Sequence, residues 1–212
     1  SRSQRVLWLL EELGVPYEVK RYERDPKTML APASLRAVHP LGKSPVITDG
    51  AATLAETGAI VETICEAYAG GRLRPAAGTE ERLRWTYWMH FAEGSAMPPL
   101  LIKLVCDKVA EAPMPFFAKP IARGIADKVM KGFVGPQLKL HLDWMERELG
   151  SSPWFAGERF TAADIQMSFP IQAAASRAGS MDAYPKLQAF LQRIEQRPAY
   201  QRATERGGAL DL

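Results

Sequence analysis

In this chain of 212 residues, the alternating apolar and polar stretches lie ahead of Gly70, whereas beyond Glu80 the apolar residues recur at steps of three and four. Strands repeat every two residues and helices every 3.6, so the change of period separates two kinds of structure. Between them "GGRLRPAAGTE" combines glycine, proline and small residues without periodicity, the composition of a connection. The chain is therefore expected to fold as a mixed α/β unit at 1–70, a linker at 71–79 and an all-helical unit at 80–212.

The first unit opens on a helix, with Val6, Leu9, Leu10 and Leu13 on one face and Gly14 as its C-cap. "VPYEVKRYE" at 15–23 then reads as a half-buried strand ending at Asp25-Pro26, and "TMLAPASLRAV" as a short helix. "GKSPVIT" and "ATLAE" flank Asp49-Gly50, the signature of a two-stranded antiparallel hairpin. "TGAIVETICEAY" closes the unit as a helix with Ile60, Ile64 and Tyr68 aligned.

In the second unit "EERLRWTYWMHFAEG" is amphipathic and "MPPLLIKLVCDKV" is expected to restart a helix after its double proline. Pro136 opens another, with Leu138, Leu142, Met145 and Leu149 on one face, and Leu187, Phe190, Leu191 and Ile194 repeat the pattern before Pro198. A hydrophobic fraction of 47% and a charged fraction of 24% fit a globular protein with a core. The longest apolar runs, such as "VLWLL", fall far short of the roughly 20 residues that cross a bilayer. No membrane span is expected.

The 27 basic and 24 acidic residues are interspersed, which argues against nucleic acid or an anionic membrane as a partner. The start runs directly into "EEL" rather than a cleavable apolar segment, so a cytoplasmic location is expected. Cys65 and Cys106 show neither redox nor metal-ligand spacing and read as buried thiols, and no metal is implied.

Four stretches carry chemistry. In "FTAADI", Thr161 and Asp164 have the spacing of a capping box, flanked by Phe160 and Ile165 as a staple, a stabilising device rather than a reactive one. In "LAETGAI", Glu56 and Thr57 stand where a strand meets a helix, and the free N–H groups there suit the charged end of an α-amino acid. Taken alone, these residues favour the simpler role of Thr57 as an N-cap. "GKSPVITDG" places Ser44-Pro45 before a strand: either a plain turn, or a cis bond that turns the Ser44 main chain outward to pair with an extended peptide ligand. Finally, Ser1 and Ser3 lie near the first helix N-terminus, where a hydroxyl stabilises a thiolate or serves as a cap.

In this order, "SRSQRVLWLLEELGVPYE", "HPLGKSPVITDG", "LAETGAIVETI" and "WFAGERFTAADI" resemble the cytosolic glutathione S-transferase superfamily, more closely its bacterial and fungal serine-type members. The resemblance covers essentially the whole chain. It implies a thioredoxin-like α/β domain that binds glutathione, followed by an all-α helical bundle domain that supplies most of the electrophile pocket. By position, Ser44 would pair with the cysteinyl part of glutathione, held by cis Pro45. Glu56 and Thr57 would hold the γ-glutamyl end, Lys43 the glycine carboxylate, and Thr161 and Asp164 match the folding cap.

The activating hydroxyl would be Ser1, four residues before Arg5, with Ser3 as fallback. The family places a strand ahead of that serine, inside the sheet, so residues preceding Ser1 are expected. The implied activity is conjugation of the glutathione thiolate to hydrophobic electrophiles in detoxification, with glutathione-dependent peroxidase activity as an accompaniment, by a homodimer. A non-catalytic interaction or regulatory module on the same scaffold is the competing reading.

Overall fold

The computed structural model describes residues 2–26, 28, 30–177 and 181–208. Helix α1, Ser3–Leu13, buries Val6, Trp8, Leu9 and Leu13 and stops at Gly14, whose φ of 68° suits glycine. The next segment departs from expectation. Residues 15–23 run without helix or strand pairing, so the expected half-buried strand is absent from the sheet. Val15 to Arg24 and Val46 to Asp49 both line a cavity of about 880 Å³, and among the described residues no ladder joins the two segments. Without a neighbour at hydrogen-bonding distance, an alternating sequence has no ladder to join.

The short helix α2 is Ala33–Val38. The antiparallel hairpin follows as β1, Val46–Asp49, and β2, Ala52–Ala55, in the register Val46↔Ala55 to Asp49↔Ala52. Gly50 turns the chain at φ 56°. Helix α3, Thr57–Tyr68, buries Ile60 and Ile64, but Tyr68 stays partly exposed and donates its hydroxyl to Asp49. That hydrogen bond explains why a side chain on the apolar face is not inside.

Beyond the connection the regular elements among the described residues are helices, apart from one isolated bridge between Trp154 and Gly157. The connection is tied down. The Leu73 carbonyl accepts from Ala162 N–H at 2.9 Å and from Trp85 Nε1 at 3.1 Å. Helix α4 is Glu80–Phe91, capped by Thr79, and α5 is Met97–Glu111. The expected restart at the double proline is not a break. The two helices are joined by a π-helical turn at Ala92–Ala96, which widens the backbone where Pro98 and Pro99 would otherwise clash with carbonyls four residues earlier. The same device recurs before Pro136: α6, Lys119–Val129, passes through a π turn at Met130–Val134 into α7, Gly135–Ser151.

Helix α8, Ala162–Arg177, is the centre of this half, with every residue from Ala162 to Ala174 buried. Helices α9, Pro185–Glu195, and α10, Pro198–Gly207, close the bundle. The sequence pattern missed α10 because it buries mainly small residues, Ala199 and Ala203, beside Tyr200. Of the aromatic run on α4, Trp85, Trp88 and Phe91 are buried, with the Trp88 ring 4.6 Å from Phe155, while Tyr87 is exposed. Among the described residues no helix is long and apolar enough to cross a membrane.

Candidate functional site

The register of the hairpin assembles the site. Since Val46 pairs with Ala55, Pro45 and Glu56 are the next residues out at the same end of the ladder. The Ser44-Pro45 bond is cis, Pro45 is buried, and Ser44 and Lys43 are exposed beside it. Glu56 ends the hairpin and opens α3, accepting the first helical hydrogen bond from Ile60 N–H at 2.9 Å.

Two features of this junction were not legible in the sequence. Glu56 adopts φ 72° and ψ 118°, a conformation that a side-chain-bearing residue enters only at a cost of roughly 1–3 kcal/mol. Its side chain makes no capping bond, and Thr57 is the first helical residue rather than the cap. The plain N-cap role therefore does not describe Thr57, which is buried while the Glu56 carboxylate is exposed. The leading N–H groups of α3 follow directly on Glu56, and Lys43 is exposed two residues ahead of Pro45. Free N–H groups at a helix start favour an anion.

Ser1 lies outside the described residues. Ser3 is the first residue of α1, half-buried, and lines the large cavity together with Ser44 and Pro45. The N-cap position of α1 is Arg2 rather than Ser3. Lys43, Glu56 and Thr57 are not among the lining residues, so the cavity and the hairpin-end site overlap only at Ser44 and Pro45.

The helix carrying Ser3 is fastened by charge. Arg5 is almost wholly buried; its Nη2 donates to Glu93 Oε1 at 2.5 Å and its Nη1 to the Gln166 carbonyl at 3.0 Å. Arg2 joins the same carboxylate at 3.2 Å, and both guanidiniums stack on Phe169. Burial pulls Arg5 below its ordinary value against the opposing pull of Glu93. Burial also resists ionisation of Glu93, but the charges and hydrogen bonds of Arg5 and then Arg2 prevail and hold its carboxyl below the usual range. Glu93 sits in the first π turn, where sequence periodicity gave no hint of it. A cation on the apolar face of α1 was the available signal.

The other acid of note is structural. Asp164 accepts from Phe155 N–H at 2.9 Å and from the N–H and hydroxyl of Thr161 at 2.8 and 3.2 Å, while Ala163 N–H donates to Thr161 Oγ1 at 3.3 Å. Complete burial raises its carboxyl to about 6, against these hydrogen bonds. Phe160, expected to staple onto Ile165, also packs its ring against Trp8, Trp154 and the Arg197 guanidinium. Both cysteines are buried free thiols, and burial pushes Cys65 up to about 12, which keeps it protonated and inert.

Comparison with known proteins finds relatives along nearly the whole chain. The glutathione S-transferase N-terminal domain model matches residues 1–67 and the C-terminal domain model residues 105–198. The chain is 37% identical over 207 residues to glutathione S-transferase 3 of Schizosaccharomyces pombe, covering 97% of this chain and 84% of that protein. It is 31% identical over 218 residues to glutathione S-transferase 1 of Saccharomyces cerevisiae, covering 99% and 93%. A solved glutathione S-transferase from Actinobacillus pleuropneumoniae superposes with a TM-score of 0.79 at 33% identity, covering 100% of this chain and 91% of that one. With relatives of this similarity along nearly its whole length, the chain belongs to the glutathione S-transferase family.

Proposed function

We propose that this protein is a glutathione transferase that binds glutathione at the end of the β1–β2 hairpin and activates its thiol for attack on hydrophobic electrophiles. The carrying observation is the register that sets Ser44-Pro45 beside Glu56 and the N-terminus of α3. Ser44 stands ahead of the ladder, and its main chain is the partner for the cysteinyl residue. Glu56 and Thr57 take the γ-glutamyl ammonium and carboxylate, and Lys43 takes the glycine carboxylate.

Proximity then does the work of catalysis. The thiol proton passes to solvent, and a serine hydroxyl near the start of α1, Ser1 or Ser3, donates to the sulfur and stabilises the thiolate. The thiolate forms a C–S bond with the electrophilic carbon as the leaving group departs. With a hydroperoxide as acceptor, the same thiolate cleaves the O–O bond, and a second glutathione completes the disulfide, so peroxidase activity needs no protein cysteine. The protein acts as a cytoplasmic homodimer, with Leu83 and Tyr87 on α4 and Leu140 on α7 offering exposed apolar surface to a second copy.

The test is calorimetry with glutathione on wild type and Glu56→Ala, followed by turnover of a model aryl halide. Binding should weaken about tenfold or more on loss of a charged hydrogen-bonding partner. Wild-type protein with neither binding nor turnover would overturn the assignment in favour of an interaction module.

A further inference from the structure

Behind the start of α3 lies a polar side chain that no contact accounts for. Gln166, on α8, is wholly buried, and neither its Oε1 nor its Nε2 has a hydrogen-bond partner among the described residues. Its main chain is engaged, since the Gln166 carbonyl accepts from Arg5 Nη1 at 3.0 Å. Arg5 in turn leaves its own buried Nε without a partner. A buried amide left unpaired is a net cost to folding, and native proteins satisfy nearly all such groups through protein or ordered water. A methionine of the same length would serve packing alone equally well. The amide therefore points to a polar partner.

Where that partner sits is set by α3, which packs on α8. Gly58, the second residue of α3, faces Gln166: a Cβ placed on it would stand 3.8 Å from Gln166 Nε2 and, its own helix turn aside, within 4 Å of no other atom. Gly58 has no positive φ, so the backbone does not demand glycine there. What the missing side chain leaves is a methyl-sized space between the first turn of α3 and the amide. A water fits such a space when roughly two to four polar partners surround it. The helix start supplies the remaining ones. The N–H groups of Thr57, Gly58 and Ala59 precede the first helical hydrogen bond, from Ile60 to Glu56, and donate to no other described residue.

We infer that Gln166 is a positioning residue for glutathione: a water held between its amide and the first turn of α3 fixes the turn whose leading N–H groups meet the γ-glutamyl carboxylate. Gln166 touches neither ligand nor sulfur and acts through α3. This role rests on the glutathione site proposed at the hairpin end, and it anchors that site to the helix at the centre of the other half.

The experiment is glutathione calorimetry and thermal unfolding of the full chain, for wild type, Gln166→Met, Gly58→Ala and the double variant. Gln166→Met removes the amide and keeps its length, whereas Gly58→Ala fills the space with a methyl group. Each should weaken glutathione binding about three- to tenfold, the worth of one hydrogen bond. The double variant should bind no more weakly than the weaker single one, because both changes remove the same bridge. Unfolding temperature should hold or rise, since alanine is the better helix former and methionine leaves no polar atom unpaired. With a model aryl halide the loss should fall on KM for glutathione rather than on kcat. Weaker binding without weaker folding is a pairing that a merely structural role does not produce. If wild type binds glutathione and both single variants match it, the role of Gln166 is overturned and the transferase reading stands. Additive losses in the double variant, or losses of affinity that track losses of thermal stability, overturn it as well. Wild type without glutathione binding removes the site itself, and the role of Gln166 falls with it.

Discussion

In the helical half, Trp85, Trp88, Phe155, Phe190 and Ile165 are buried among one another. In the first half the hairpin strands run to exposed ends, and Trp8 of α1 takes its aromatic neighbours, Tyr200 and Phe160, from the other half. The first half thus leans on the second for its core. Its hairpin end is left to present main chain and charge, and the strained Glu56 is the mark of that division: rigidity comes from α8, and the binding geometry stands at its edge.

This contrast can be broken at its strongest point first. Trp8→Ala should cost about 3–5 kcal/mol in urea unfolding. The loss should appear as one transition for both halves, and two separate transitions would show that the first half does not depend on the second. Asp164→Ala should cost about 3 kcal/mol, since it leaves buried donors of Phe155 and Thr161 without an acceptor.

The two buried or half-buried acids should respond to pH with opposite signs. Glu93 titrates below its ordinary value of 4.5 in the folded protein. Its contribution is therefore complete above that value and is lost as pH falls through the folded one. Asp164 titrates near 6, above its ordinary 3.8, so the folded state holds the proton more tightly and stability falls as pH rises through that window, then levels. Urea midpoints from about pH 2.5 to 8 for wild type, Glu93→Gln and Asp164→Asn check both slopes, and each substitution should abolish only its own.

The smallest stability effect, and the sharpest separation of halves, is expected at the site. Glu56→Gly relieves an unfavourable φ and should leave stability unchanged or raise it by up to about 1 kcal/mol. Glutathione affinity should nevertheless fall at least about tenfold, as for loss of a charged hydrogen bond. Loss of stability and affinity together would mean that Glu56 holds the fold rather than the ligand.

Much of this molecule was legible before any coordinates. Helix α1 with its Gly14 stop, the hairpin around Gly50 and the inward faces of α3, α7 and α9 all follow from period and punctuation, because these elements bury one regular face. Failures came where local pattern met a distant neighbour. Residues 15–23 alternate as a strand should, yet line a cavity with β1 and join no ladder among the described residues. Pro98 and Pro136 punctuate as helix breakers, yet a π turn before each keeps the helix continuous. At the site, Ser44, Pro45, Glu56 and Thr57 were singled out by their places between elements, but the φ of Glu56 leaves no trace in residue type.

The sequence by itself determined the division of the chain, the type of most of its elements and the family to which the ordered motifs point, because hydrophobic period, caps and turn residues act over a few positions. Only the tertiary structure decided which residues meet across long separations: Arg5 with Glu93 and Leu73 with Ala162. It also decided which charges find partners. Arg197 pairs with Glu12 and Arg202 with Glu11, since pairing depends on distance in space rather than on order in sequence.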